Sequence, residues 1–506
     1  MMTEVDAARL VRGSVYLAGQ SVVTTLIGAV ALAFTARILT QVEMGVAVVL
    51  MLTLGLAQVV TDLGFSGGLT KFVAEFRGRG EDFTSMSFGA VGVKVLMAGA
   101  AAMFCVVMAP WLSELLLDSG EFVVLFQLLG LNVLTFCVRL TVHHLLLGVN
   151  RLKELAILTA VAALVGKVFA VGLLVLGYGL VGLVLGWTLG ELAYVLIGGL
   201  IIVRNRYVKI QPFGKVIPHL RTLARFSWPL LATNVVLFLY GSFDQAFLLF
   251  YVPLDEVAVY SIALRAFGVI SLIPLALSST LFPYYSEQRG RDEQQNIVAG
   301  VRGSSRYIAL CFTPLALGLM ATANPAITFF AGQTYASGDV VLAILCIFGG
   351  LSSLAASFSI LLLVYDMTPT VLAVNITSVI GSVILLPVLL PSLGVVGMAL
   401  AKGVATIIAF VLTVLLLRRR MSLQFDGEAL WKSWAAAVAM FGIVWLLEYM
   451  YMSPYLLPLY VGVGGLVYVV GLRLLKAVRK GDVSLIRNLL GKRAAPIMNL
   501  AERILI

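Results

Sequence analysis

The sequence contains few charged residues. Of its 506 residues, 35 are Lys or Arg and 25 are Asp or Glu, so 12% are charged, whereas 61% are hydrophobic. Soluble domains carry about 25% charged residues and need polar side chains to cover their surface. The composition therefore excludes a soluble enzyme, a secreted disulfide domain and a disordered chain. It predicts an all-α polytopic membrane protein.

Histidine and cysteine are also scarce. The three histidines, His143, His144 and His219, follow no metal-ligand spacing. The four cysteines lie in separate apolar segments with no close pairing. The sequence has no phosphate-binding G-x-x-x-x-G-K-[ST] loop. We therefore expect no enzyme and no metal or other cofactor, apart from coupling to H⁺ or Na⁺, and interfacial packing for the adjacent His143 and His144.

Fourteen apolar segments are each about 20 residues long, which is the length that crosses a membrane. The predicted spans are 14–36, 45–65, 88–109, 122–145, 155–177, 180–203, 226–252, 257–282, 305–331, 340–364, 370–391, 394–417, 432–452 and 455–475.

The basic residues lie on one side of this arrangement. Of the 35 Lys and Arg residues, 29 fall in the two ends and in alternate loops. The positive-inside rule then places both termini in the cytoplasm. The net charge of +10 is thus a topology signal and a contact for membrane lipids, and we expect no nucleic-acid partner.

An internal repeat divides the chain. The segment Glu75-Phe-Arg-Gly-Arg79 recurs as Glu287-Gln-Arg-Gly-Arg291, at an offset near 213 and at the same topological position. Two parallel repeats of six helices are a transporter architecture with a substrate site between the halves. The predicted domains are two six-helix bundles, two additional helices and an interfacial cytoplasmic tail, at residues 1–210, 211–420, 421–475 and 476–506.

Charged residues within the spans or at their ends, other than those counted with the loops and the tail, are the candidate functional residues, because each is costly in lipid. The cations are Arg37, Lys94, Arg139, Lys167, Arg265 and Lys402, and the acids are Asp62, Glu191, Asp244 and Glu448. Lys167–Glu191 and Asp244–Arg265 are candidate ion pairs, which are structural bridges in the simplest interpretation. Alternatively, cations near the ends of spans extend to the interface: Arg37 at the outer side, Lys94 and Arg139 at the inner side.

The repeat gives a reason to assign function to some of these charges. Arg37, Asp62, Asp244 and Arg265 all correspond to apolar residues in the other half. An asymmetric cationic cavity suits a lipid phosphate or pyrophosphate, to which arginine offers paired donors. The predicted cavity cations are Arg37, Arg265, Arg139, Lys167 and Lys402, and the acids predicted to pair with them or to couple ions are Asp62, Asp244 and Glu191.

Several motifs resemble those of a known family. Asp62-Leu-Gly-Phe-Ser66 leading to Lys71-Phe-Val-Ala-Glu75, and Asp244-Gln-Ala-Phe-Leu-Leu, are similar to segments of polysaccharide-biosynthesis exporters. These form the Wzx-like branch of the multidrug/oligosaccharidyl-lipid/polysaccharide exporter superfamily. The resemblance implies alternating-access flipping of a lipid-linked oligosaccharide to the outer face of the cell membrane. Arg37 and Arg265 match positions where such proteins carry arginines.

Two other functions remain open at this point. A cation-coupled multidrug antiporter of the same superfamily predicts acid-dependent efflux of cationic dyes. A membrane glycosyltransferase or polysaccharide ligase is disfavoured because no long outer loop and no acidic metal pair is present. For the leading interpretation we expect a monomer whose partners are the lipid-linked substrate, membrane lipids and glycan-assembly enzymes.

Overall fold

A computed structural model describes residues 4–479 and 482, and these residues form seventeen α-helices and no β-strand. The helices are α1 (Glu4–Ile38), α2 (Gln41–Asp62), α3 (Phe65–Arg79), α4 (Thr84–Val107), α5 (Ala109–Leu117), α6 (Val123–Gly148), α7 (Leu152–Val175), α8 (Gly179–Arg204), α9 (Phe213–Tyr251), α10 (Leu254–Ile270), α11 (Leu272–Gly290), α12 (Gln294–Ala321), α13 (Ala323–Ala331), α14 (Asp339–Val364), α15 (Thr368–Arg418), α16 (Gly427–Tyr451) and α17 (Leu457–Leu474). The tail predicted at 476–506 lies largely outside the described residues.

Twelve stretches of the described chain are helical, long and apolar enough to cross a membrane. One of them, α15, contains two predicted spans, because Gly394 has non-helical torsion angles (φ 53°, ψ −133°) and divides the helix. The predicted span 257–282 is interrupted at Ser271, between α10 and α11. Pro274 lies in the first turn of α11 and has no N–H with which to continue α10. The polytopic all-α class is confirmed, and the continuity predicted for this span is wrong.

The repeat is visible in the order of the helices. The short helix α5 follows α4, and the short helix α13 follows α12 in the same way. Backbone torsion angles recur as well. Positive φ occurs at three pairs of equivalent positions: Gly80 and Asp292, Asn150 and Asp366, and Gly179 and Gly394. The two copies of the E-x-R-G-R motif each end a helix with an ion pair one turn apart, Glu75–Arg79 and Glu287–Arg291. The motif therefore marks a repeated helix end.

The chain divides into two compact units, Met1–Ala258 (unit 1) and Val259–Ile506 (unit 2). The domain boundaries at 210, 420 and 475 delimit sequence repeats rather than compact units, so they stay predictions.

Small residues determine how closely α7 and α8 pack in unit 1. A Cβ atom on Gly186 would lie 2.3 Å from the Cα of Ala170, and one on Gly190 would lie 2.8 Å from the Cα of Gly166. Without side chains at these positions the two backbones touch directly, which is the usual way in which helices associate in lipid. The contact fixes α8, and with it Glu191, against α7.

In unit 2 the two additional helices are anchored to α12. The Ser433 hydroxyl on α16 donates to the carbonyl oxygen of Ala309 at 2.6 Å, and the Tyr468 hydroxyl on α17 donates to that of Leu310 at 2.9 Å. Both side chains are buried. Helices α16 and α17 are thus held by polar bonds as well as by apolar packing.

Candidate functional site

The Asp62-Leu-Gly-Phe-Ser66 motif forms the sharp turn between α2 and α3. Leu63 and Gly64 both have left-handed backbone conformations, with φ of 51° and 69°. A Cβ atom on Gly64 would lie 2.4 Å from the carbonyl oxygen of Ser227 on α9, so a side chain does not fit there. The turn brings the Ser66 hydroxyl to the Asp62 carboxylate, to which it donates a hydrogen bond.

Lys94 on α4 completes a buried cluster with these two residues. Its ammonium group donates to Asp62 Oδ1 and to Ser66 Oγ. Lys94 is 2% exposed, Asp62 6% and Ser66 5%. The prediction that Lys94 extends to the inner interface is therefore wrong. A carboxylate faces it from α2, and pairing the two charges costs less than leaving that carboxylate unpaired in the interior.

A second ion pair links α6 and α8. Arg139 pairs with Glu191, and the two side chains are 19% and 23% exposed. The guanidinium carbon of Arg139 lies 4.5 Å from the ring centre of Phe136 and 5.3 Å from that of Tyr194. These contacts hold Arg139 at Glu191, so its predicted position at the inner interface is wrong. The ion-pair partner predicted for Glu191 was Lys167. Lys167 is half-buried on α7, next to Gly166 in the chain.

The adjacent histidines lie on α6, about one turn after Arg139. His144 Nδ1 is 2.9 Å from the Thr70 hydroxyl oxygen on α3, whereas His143 Nδ1 is 3.0 Å from the Tyr194 hydroxyl oxygen on α8. Neighbouring residues on a helix point about 100° apart, so each ring reaches a different helix. The polar bonds go beyond the interfacial packing expected from the sequence.

The other predicted site residues occupy different parts of the chain. Arg37 is exposed in the last turn of α1, and Lys402 is half-buried in the second half of α15. Asp244 is fully buried in α9 of unit 1. Arg265, in the part of α10 that belongs to unit 2, donates from Nε to the Ser261 hydroxyl at 3.4 Å. The roles of these residues stay predictions.

The sequence reasoning missed a buried network around Arg306, which it treated as a topology marker. Arg306 is 5% exposed on α12. It donates from Nη2 to Asp482 at 2.6 Å, from Nη1 to Asp426 at 3.2 Å, and from Nη2 to the carbonyl oxygen of Ala477 at 2.7 Å. In the sequence, Asp426 lies in a predicted loop and Asp482 in the predicted interfacial tail, and neither was a candidate. Only the long-range fold brings them to one arginine.

Hydrogen bonding sets the protonation of these two acids. Burial raises the pKa of Asp482, but the bonds from Arg306 and from the Arg479 backbone N–H outweigh it, so the pKa lies below its usual value of 3.8. Burial likewise raises the pKa of Asp426, but the Ala429 backbone N–H and Arg306 outweigh it and lower the pKa. Asp426 also caps α16 through that Ala429 bond, at 3.1 Å. Both acids are therefore anionic at neutral pH.

No group of three or more His, Cys, Asp or Glu side chains placed to hold a metal occurs within residues 4–479 and 482.

Comparisons with known proteins give the family and the fold. The sequence model described as "Polysaccharide biosynthesis protein" matches residues 10–288, more than half of the chain. A protein of Haloferax volcanii named as the probable low-salt glycan biosynthesis flippase Agl15 is 23% identical over 440 residues, which is 86% of this chain and 89% of the relative.

Two solved structures show how widely the fold is used. Lipid II flippase MurJ, in an inward closed conformation, has a TM-score of 0.75 at 15% identity, over 94% of this chain and all of MurJ (100%). An inward-facing multidrug resistance transporter of the MATE family, in the MOP superfamily, has a TM-score of 0.64 at 15% identity, over 78% of this chain and 94% of that one. At this identity the likeness concerns the fold alone.

Proposed function

The chain belongs to the polysaccharide biosynthesis protein family, and from this premise we propose that it flips a lipid-linked oligosaccharide from the cytoplasmic to the outer face of the cell membrane. The observation that carries the proposal is the similarity to Agl15, which is named as a glycan biosynthesis flippase and aligns over 86% of this chain. The many apolar helices provide the membrane setting that such a substrate needs. The proposed role is transport for glycan synthesis, not catalysis.

The proposed head-group ligands are intramembrane cations. Arg37 and Arg265 are each proposed to bind phosphate or pyrophosphate oxygens of a polyprenyl carrier, and Arg139, Lys167 and Lys402 are further candidates. Guanidinium groups bind phosphate oxygens in pairs, and the polyprenyl tail can remain in lipid. Arg139 already pairs with Glu191, so a phosphate there would compete with that carboxylate.

The proposed coupling groups are the intramembrane acids Asp62, Asp244 and Glu191, which would bind or release H⁺ or Na⁺ during alternating access. The proposal places both termini in the cytoplasm, because the alternate loops that carry the basic residues follow the positive-inside rule. The proposed protein acts as a monomer that contacts membrane lipids and glycan-assembly enzymes and binds no nucleic acid.

The competing function is a cation-coupled multidrug antiporter. The fold does not separate the two functions, because the chain is similar in structure both to a lipid flippase and to a multidrug transporter. The family match and the glycan flippase relative favour the lipid-linked substrate.

The test reconstitutes the full chain in vesicles with a radiolabelled polyprenyl-pyrophosphate oligosaccharide and follows how fast its sugars become accessible to external periodate. We expect Arg37→Ala with Arg265→Ala to slow flipping at least tenfold, since each lost charged hydrogen bond costs about 1.5–3 kcal/mol. The matched control is Arg79→Ala, which removes an exposed arginine paired with Glu75. Normal flipping by the double variant would contradict the assignment of these arginines, and acid-driven efflux of ethidium by the wild type would favour the antiporter.

A further inference from the structure

The cluster of Asp62, Ser66 and Lys94 has the composition of a filled cation site. A carboxylate oxygen and a hydroxyl oxygen both accept from one ammonium group, and all three side chains are more than nine-tenths buried. Three separate elements supply them: the end of α2, the first turn of α3 and the middle of α4. The left-handed Leu63 and Gly64 hold the two oxygen-bearing side chains at one point.

Carboxylate and hydroxyl oxygens are also the ligands that hard monovalent and divalent cations prefer. Here the ε-ammonium of Lys94 lies where such an ion would bind, and it is attached to the chain. Ala90 and Ala98, one turn before and one turn after Lys94 on α4, are 0% exposed, so this face of the helix is buried. A solute ion would have to displace a buried, hydrogen-bonded ammonium group in order to reach Asp62.

We propose that Asp62 and Ser66 form a monovalent-cation site whose resident occupant is the ammonium group of Lys94. The consequence for transport rests on the proposed function and narrows it: of the three proposed coupling acids, Asp62 holds Lys94 in place of sodium, so sodium coupling is left to Asp244 and Glu191. The second repeat has Leu275 at the position of Asp62, so the site is specific to unit 1.

The experiment removes the resident cation and supplies a free one. Purified full-length Lys94→Ala is melted in chloride salts of sodium, potassium, methylammonium and choline at constant ionic strength. We expect the variant to melt below the wild type, and methylammonium or sodium, but not choline, to raise its Tm in a saturable way. Asp62→Asn with Lys94→Ala lacks the carboxylate and should not respond. The matched control is Lys153→Ala, which removes an exposed lysine at the start of α7.

Two results would overturn the proposal. One is found in the variants: the Tm of Lys94→Ala does not respond to methylammonium or sodium, or it responds no more than the Tm of the double variant. The other comes from the wild type, which we expect to melt at the same temperature in all four salts. A sodium-specific rise in its Tm that Asp62→Asn abolishes would show that sodium reaches Asp62, and this measurement decides the question even if Lys94→Ala does not fold. None of these assays contains a glycolipid, so failure of the flipping assay leaves them unaffected.

Discussion

Ion pairs in the interior of unit 1 lower the free-energy cost of burying its charged residues. Lys94 is paired with Asp62, and Arg139 with Glu191. Such pairs add little stability compared with apolar residues of the same shape, but loss of one partner leaves a buried charge uncompensated. The sequence placed all four residues in spans and proposed Lys167, whose charge also acts on Glu191, as the partner of Glu191. It could not assign the observed partners, because pairing depends on which helix faces point at each other.

The Asp62–Lys94 pair gives the first prediction at the scale of single residues. Asp62→Asn leaves the Lys94 ammonium buried without a carboxylate and should lower the free energy of unfolding by about 3–5 kcal/mol. Asp62→Asn with Lys94→Met removes both charges and should recover most of that loss. Equilibrium unfolding in mixed detergent micelles measures both variants.

An exposed pair provides the control for this comparison. Glu75→Gln breaks the Glu75–Arg79 pair at the end of α3, whose arginine side chain is 58% exposed. We expect a change of less than about 1 kcal/mol. A loss of the same size as that of Asp62→Asn would contradict the distinction between buried and exposed pairs.

At the scale of helices, thirteen of the fourteen predicted spans fall mainly in helices that are long and apolar enough to cross a membrane, because about 20 apolar residues in a row are a strong signal. The exception is the span 257–282, which is divided between α10 and α11. The non-helical backbone at Gly394 lies where the predicted spans 370–391 and 394–417 meet, so that break was predicted. The interruption at Ser271 was not, because it depends on backbone torsion angles that hydropathy does not record. The glycine contact between α7 and α8 was also missed, since the many glycines of the sequence do not reveal which of them face a neighbouring helix.

That contact supplies the prediction for helix packing. Gly186→Ala places a Cβ atom 2.3 Å from the Cα of Ala170, so α7 and α8 must separate, and we expect a loss of about 1–3 kcal/mol in the free energy of unfolding. Gly172→Ala on α7 is the control, because its Cβ would meet no atom within 4 Å. That control should be neutral or stabilising by up to about 1 kcal/mol, since alanine favours helix over glycine. Equal losses in the two variants would show that the backbone contact is not what holds the helices together.

At the scale of the whole chain, Arg306 connects segments of unit 2 that are far apart in the sequence. This arginine on α12 binds Asp426, which precedes α16, and Asp482, which follows α17. The start of α16 and the segment that follows α17 are therefore both fixed to α12. Arg306 is one of the 29 basic residues that were used only to predict the membrane topology. Its contacts could not be predicted from the sequence, because its partners lie 120 and 176 residues away.

The Arg306 network predicts a dependence of stability on pH. The pKa values of Asp482 and Asp426 are lowered in the folded chain. Their contribution to stability is therefore present above the unfolded-state pKa of about 3.9 and is lost as the pH falls through the lower folded values.

Arg306→Gln removes the charged donor and leaves two buried carboxylates with fewer partners. We expect it to lose about 3–5 kcal/mol at neutral pH. The difference from the wild type should shrink as the pH falls below about 4 towards the lowered pKa values, where both acids become protonated in the folded wild type. Thermal melts from pH 3 to pH 8 measure this, with Arg302→Gln as the control because Arg302 is exposed one turn earlier on α12. A constant difference across that range would mean that Arg306 stabilises unit 2 by packing alone, without its bonds to Asp426 and Asp482.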